Sequence, residues 1–269
     1  RPRDWSPDDT ALIEEVVDRC WAHIERVRAV ALLEEQDRNK DVFLATLAHE
    51  LRNPLAPMRY AAAMLALPDA AHHARAREVI GRQVGLMARL IDDLLDLSRI
   101  NRGLIVLQRE TLDMAVLLER AVEIARAGLE AAGHAFTLQL PREPAPVHGD
   151  PARIVQVVAN LLNNATKYTP DGGRITLSAW TGDGQVVVEV ADSGLGIAPA
   201  DQDRVFQMFA QLPHTAGHAK GGLGIGLALA RHLVALHGGS LTVASEGVGH
   251  GSRFRVPLPG RDLPQDQVT

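Results

Sequence analysis

The chain has 269 residues, a formal net charge of -5, 46% hydrophobic residues and one cysteine, Cys20. That length supports one large or two ordinary domains with real cores, and 23 glycines and 15 prolines leave the composition ordinary, which argues against disorder. The acidic balance argues against nucleic acid or an anionic membrane as partner, the lone cysteine excludes an internal disulfide and fits a reducing, cytoplasmic compartment, and no run of about 18 apolar residues predicts a membrane span or direct membrane contact.

Residues 8 to 67 read as helix. Ser6-Pro7, followed by Asp8, Asp9 and Thr10, forms a capped entry. Ile13, Val17, Cys20, Ile24, Val27 and Ala31 then follow the 4-3-4-3-4 spacing of a coiled-coil seam. The seam lapses at Glu34 and returns in a shifted phase at Leu33, Leu44, Leu47 and Leu51, with Asp37 and Lys40 between, as a stutter produces. Pro68-Asp69 breaks the helix. A second helix is predicted from 71 to 102, apolar at Val79, Leu86, Leu90, Leu94, Leu97 and Ile100. Two long helices joined this closely make an antiparallel hairpin. Two such hairpins bury their apolar faces by pairing into a dimeric four-helix bundle.

After Gly103 the texture changes. A short strand is predicted at Ile105-Val106-Leu107, a helix from 112 to 132 ending at Gly133, a strand from 135 to 140 and a loop from 141 to 146. Asp150 caps a helix with Pro151 in its first position, running to Tyr168. Strands 174–180 and 185–191 meet at Gly182-Asp183-Gly184, a hairpin signal. A helix from 222 to 237 and strands at 240–245 and 252–257 complete an α+β two-layer sandwich, a mixed sheet with helices on one face.

Four constellations carry chemistry. In His49-Glu50-Leu51-Arg52-Asn53-Pro54 the imidazole, titrating near about 6.5, is a nitrogen nucleophile at neutral pH. Adjacent Glu50 is placed to accept the ring proton. Asn53, at i+4, shares the histidine's face and can hold a water. Pro54 and Pro57 each remove a helical hydrogen bond, so the helix is expected to bend or loosen there. Further on, Asn160, Asn164 and Lys167 fall at i, i+4 and i+7 on one stripe. Their amide oxygens suit a hard cation such as Mg²⁺, Lys167 offers a point charge for phosphate, and Tyr168 offers a ring. Asp192-Ser193-Gly194-Leu195-Gly196-Ile197 follows a strand and offers a carboxylate to an adenine amino group beside glycines that permit close approach. Lys220-Gly221-Gly222-Leu223-Gly224-Ile225-Gly226-Leu227 opens a helix whose N–H groups favour phosphate, without the ending of a Walker A loop. Between the last two, Phe206 and Phe209 precede a polar stretch from Gln211 to Lys220 that reads as a lid.

From about Asn39 to Pro259 the chain resembles the sensor histidine kinase family. It carries the histidine box, asparagine box, first glycine box, phenylalanine box at Val205-Phe206-Gln207-Met208-Phe209 and second glycine box, in that order. The resemblance implies a dimerisation and histidine phosphotransfer domain followed by a Bergerat-type ATP-binding domain. It implies His49 as phosphoacceptor, Glu50 as base, and Asn53 in the place of the residue that aids phosphatase action. It implies Asn164 as Mg²⁺ ligand, Lys167 as phosphate contact and Asp192 as adenine reader. Asn160, Tyr168 and Phe209 would line the nucleotide site, with Gly194, Gly196, Gly222, Leu223, Gly224 and Gly226 shaping pocket and lid. The expected cofactors are ATP and Mg²⁺. The expected partners are a second copy of the chain, a response regulator receiver domain and an upstream sensor domain.

The domains are expected at 1–38 (a signalling helix resembling the end of a GAF- or phytochrome-type sensor), 39–103, 104–260 and a tail at 261–269. The chain begins at Arg1 without a signal-peptide pattern and reads as the end of a longer protein. Two rivals stand beside the kinase. The gyrase and Hsp90-like ATPases place a glutamate four residues before the metal-binding asparagine, where Asn160 stands here and cannot deprotonate water. A non-enzymatic dimer scaffold would need a broken nucleotide site, and none of the expected groups is missing.

Overall fold

A computed structural model describes residues 7–66, 69–208, 210 and 224–260; within the helices, side chains including those of residues 35–44, 46 and 49 fall outside that description. The described residues divide into two compact units at the His49–Glu50 junction. Helix α1 (Pro7–Met64) runs for 58 residues, three residues short of the expected end, and carries Pro54 and Pro57 inside a continuous helix.

In the first unit Val17, Ile24 and Val27 of the predicted seam are 57%, 43% and 54% exposed, and so are Val16, Trp21 and Val30 around them. Among the described residues nothing covers this apolar surface. The seam positions Ile13, Leu33 and Leu44 lie outside the described side chains.

The second unit contains the hairpin's return helix and a sandwich. Asp69 caps α2 (Ala70–Asn101), its Oδ1 accepting from the Ala71 N–H at 3.0 Å. The chain leaves α2 through Gly103, φ +65°. The expected strand at Ile105–Leu107 is not one: Val106 is 86% exposed, and no described strand pairs with this stretch. The first strand is β1 (Glu110–Asp113), antiparallel to β3 (Pro146–Gly149), a stretch that ends the expected loop. Helix α3 (Met114–Ala131) therefore starts two residues late, because Asp113 caps it by accepting from the Ala115 N–H at 3.1 Å.

The main sheet contains β2 (Ala135–Gln139), β4 (Arg174–Gly182), β5 (Gln185–Asp192), β6 (Thr242–Ala244) and β7 (Ser252–Pro259), in the order β2-β4-β5-β7-β6. Only β2 and β4 are parallel, so the sheet is mixed as expected. Helix α4 (Pro151–Tyr168) packs on it, with α3 and α5 (Gly226–Leu236) against α4. The alternation of Ile175 and Leu177 on β4, and of Val188 and Val190 on β5, turns those side chains inward into a core that also buries Leu161, Leu162 and Leu233. Described α5 begins at Gly226, against an expected start at 222.

Asp150 ties three segments together before the site begins. Its Oδ1 accepts from the Arg153 N–H and caps α4, and its Oδ2 accepts from the Gln108 N–H at 3.0 Å. Its own N–H donates to His237 Nε2 at 2.9 Å. Buried His237 in turn donates from Nδ1 to the Leu233 carbonyl at 2.7 Å. An imidazole that accepts at Nε2 must be neutral. Burial, helped by the nearby Arg109 charge, holds its pKa below the ordinary value of 6.5, against the Leu233 bond and Asp150.

Because the unfolded chain then takes up a proton at higher pH than the fold does, His237 contributes stability that is present above about 6.5 and is lost as pH falls toward its depressed folded value. Thermal melts of the parent chain and His237→Gln between pH 7.5 and 5.5 check this. The variant is expected to be less stable at pH 7.5 by on the order of 1–2 kcal/mol, one or two buried hydrogen bonds, with the gap closing at the acid end. A gap independent of pH would refute the linkage.

Candidate functional site

The site gathers at the C-terminal half of α4, where Asn160, Asn164 and Lys167 face one cleft of about 540 Å³ together with Tyr168 and Gly226. The helix is held there by its cap at Asp150 and by the buried face that includes Leu161, Leu162 and Ala165. Lys167 Nζ lies 4.8 Å from the centre of the Tyr168 ring. Asn160 is partly engaged within the protein: its Nδ2 donates to the Gly226 carbonyl at 3.4 Å, tying α4 to the start of α5.

A second, smaller cavity adjoins the cleft and shares Asn164, Tyr168 and Leu227 with it. Asp192, at the end of β5, forms its polar floor, and Ile197, Val205 and Phe254 are among its apolar walls. The carboxylate is fixed by three donors. Its Oδ1 accepts from the N–H of Gly194 at 2.8 Å and of Ser252 at 3.3 Å, and its Oδ2 accepts from the Ser252 hydroxyl at 2.5 Å. Burial raises the Asp192 pKa above its usual value, opposed by those same bonds. A half-buried carboxylate with fixed orientation and an apolar surround is suited to reading one polar edge of a flat ring.

The loop after Asp192 requires its glycines. A Cβ at Gly194 would sit 2.4 Å from the Tyr168 carbonyl oxygen. Gly196 has φ +69°, and a Cβ there would meet the Gly247 carbonyl at 2.0 Å. This loop is welded to the 245–251 turn: Gly249 N–H donates to Leu195 O at 2.7 Å and Gly251 N–H to Gly194 O at 3.1 Å. Ser245 Oγ accepts from the Ile197 N–H at 3.0 Å and donates to Gly251 O at 2.6 Å.

The structure thus brings together Asn160, Asn164, Lys167, Tyr168, Asp192, Gly196, Gly224 and Gly226 around two joined cavities. Gly194 sits behind them, bonded to Asp192. Phe209, Gly222 and Leu223 lie outside the described residues, as does the expected lid, and the side chain of His49 is likewise undescribed. Glu50 is partly buried and Asn53 exposed on α1. Reading of the sequence missed Ser252 and Ser245. The signal for Ser252 was Gly249-His250-Gly251-Ser252 opening a strand opposite Asp192, a register that only strand pairing reveals.

Among the described residues no group of three His, Cys, Asp or Glu side chains is arranged to hold a metal ion. No described helix is long and apolar enough to cross a membrane. A carboxylate-floored, glycine-walled cavity at the end of a helix-covered mixed sheet, preceded by a helical hairpin, defines a nucleotide-binding sandwich joined to a helical domain. Residues 149–262 match the family described as histidine kinase-, DNA gyrase B-, and HSP90-like ATPase, and residues 39–103 match the His Kinase A (phospho-acceptor) domain. The circadian input-output histidine kinase CikA of Synechococcus elongatus is 34% identical over 89% of this chain and 32% of its own length. The adaptive-response sensory kinase SasA of Thermosynechococcus vestitus is 37% identical over 84% of this chain and 62% of its own. The structure of full-length ShkA in complex with AMPPNP superposes with a TM-score of 0.62 at 28% identity, covering 82% of this chain and 46% of that one. The chain belongs to the sensor histidine kinase family, as its catalytic core, and spans about a third of the length of the first curated relatives.

Loss of one hydrogen bond to a charged group costs on the order of 1.5 kcal/mol. Ser252→Ala is therefore expected to weaken nucleotide binding about tenfold in calorimetric titration, with Ser252→Thr restoring it. The affinity of the parent chain is expected to fall as acidification protonates Asp192, at a higher pH than an ordinary aspartate would produce. Equal affinities for parent and Ser252→Ala would remove the serine from the site.

Proposed function

We propose that this chain binds ATP with Mg²⁺ in its sandwich domain and transfers the γ-phosphoryl group to His49 of a dimeric phosphoacceptor hairpin. The observation that carries the reading is the clamped, half-buried Asp192 beneath a glycine-walled cavity, in a chain that also bears the histidine box on α1. The residues fit the nucleotide: Asp192 accepts from the adenine amino group, Tyr168 and Ile197 bound the ring, and Lys167 turns from the Tyr168 ring to the phosphates. Asn164 would hold the Mg²⁺ ion, which when bound with the phosphates would neutralise charge on the transferring group. Gly224 lines the same site, and the resemblance assigns Phe209, Gly222 and Leu223, which lie outside the described residues, to nucleotide binding as well.

The neutral His49 nitrogen attacks the γ-phosphorus, a nitrogen–phosphorus bond forms, and the bond to the bridging oxygen of ADP breaks. Glu50 receives the ring proton. The phosphohistidine then donates to an aspartate of a response regulator receiver domain, and Asn53 aligns a water when that aspartyl phosphate is hydrolysed. We assign residues 1–38 to a signalling helix below an upstream sensor, 39–103 to the dimerisation and phosphotransfer domain, 104–260 to the ATP-binding domain and 261–269 to a tail, all working in the cytoplasm without nucleic acid or membrane contact. The exposed apolar surface of α1 and of α2, including Ile24, Val27, Ile91 and Leu95, supports a homodimer. Against a gyrase-like ATPase stands Asn160, whose amide is bonded to Gly226 and has no proton-accepting chemistry to offer a water.

Incubation with γ-labelled ATP and Mg²⁺ is expected to give acid-labile, base-stable label, the behaviour of a phosphoramidate. His49→Ala is expected to abolish the label and leave nucleotide binding intact; label persisting in that variant would overturn the assignment. Asn164→Ala is expected to lose Mg²⁺-dependent nucleotide affinity by at least about tenfold while melting near the parent temperature, since a metal ligand on a partly exposed helix face contributes more to function than to stability. An unchanged affinity would take Asn164 out of the metal site.

A further inference from the structure

Arg153, in the first turn of α4, reaches away from the nucleotide site. Its Nη1 donates to Oδ2 of Asp96 on α2 at 2.5 Å and to Gln156 Oε1 at 2.9 Å. Gln156 Nε2 donates to the same Asp96 oxygen at 3.1 Å, and Arg99 Nη1 stands 3.9 Å from the other. Asp96 is only 5% exposed, although Ile91 and Leu95 beside it on α2 are 47% and 50% exposed. Nearer the start of α2, Leu86, Leu90 and Asp92 line the same cleft as Asn164 and Lys167. Neither Asp96 nor Arg153 lines that cleft, whereas Gln156 between them does.

Apolar side chains hold two surfaces together but select their register weakly. A buried charge pair adds little net stability, because desolvation offsets attraction, yet it satisfies both charges in one geometry only. Undocking would return both charges to water, so the contact is reversible. We propose that Asp96, with Arg153 and Gln156, is a positioning site for the kinase reaction. It seats the ATP-binding domain in register on α2 and so fixes the nucleotide cleft against that helix. This inference rests on the histidine kinase reading above, and it predicts an effect on the transfer rate without an effect on nucleotide affinity.

The test is the initial rate of His49 labelling by γ-labelled ATP and Mg²⁺ in the full chain, as a function of ATP concentration. Asp96→Asn removes the charge at constant shape. Arg153→Gln reports the same pair from its partly exposed side. Each is expected to lower the maximal rate about tenfold, the scale at which misplacement of a reacting group acts, while the half-saturating ATP concentration and the melting temperature stay near parent values. The charge swap Asp96→Arg with Arg153→Asp places a base toward the end of α2 and an acid in the first turn of α4, where each suits its helix, and is expected to recover most of the rate. A rate unchanged or raised in the single variants, a half-saturation that moves with the rate, or a swap no better than the single variants would overturn the proposal. Absence of label in the parent chain would instead overturn the kinase reading.

Discussion

Everything in the sandwich that faces the cleft depends on how α4 starts. Asp150 caps the helix with one carboxylate oxygen, holds the chain arriving from α2 with the other, and bonds His237 at the end of α5 through its backbone N–H. Three segments far apart in sequence are thereby referred to one residue. Nearby, Gly149 leaves no room for a side chain, since a Cβ there would come within 2.6 Å of the His237 ring. The cost of a buried histidine is offset because both of its nitrogens are satisfied. From that fixed start, 18 helical residues set the direction of Asn160, Asn164 and Lys167.

The opposite side of the site is built on the sheet. Strand β5 delivers Asp192, and its antiparallel neighbour β7 delivers Ser252 directly across from it. A carboxylate at a strand end is ordinarily mobile and hydrated. Here the Ser252 hydroxyl and two backbone N–H groups hold it, and the loop behind it is bonded to the 245–251 turn. A pocket fixed in this way before a ligand arrives has little ordering cost on binding. The cleft beyond it is wider and is bounded in part by α2, a helix of the preceding domain. The Asp192 cavity thus sits on rigid elements, while the α2 side of the wider cleft is set in register by the Asp96–Arg153–Gln156 cluster.

Much of this protein was determined by its sequence alone, because local rules decide those parts. Asp150-Pro151 has no better use than a helix start, and Gly182-Asp183-Gly184 turns a hairpin whose Asp183 takes φ +50°. The periodicity of 153–168 and the alternation of 185–191 each specify a buried face. The ordered boxes likewise placed Asn164 and Asp192 at one site, since each lies at the end of an element the sequence makes legible. Tertiary structure decided what depends on partners distant in sequence. The pairing of β1 with β3 could not be read locally: each has four residues, and the apolar run at Ile105–Leu107 looked more like a strand than either. Ser252 acquires its role from strand register, His237 from a helix end that meets Asp150, and Asp96 from a domain that folds back on α2. In each case the side chain is unremarkable by composition, and its chemistry follows from a hydrogen bond to a polar group more than fifty residues away.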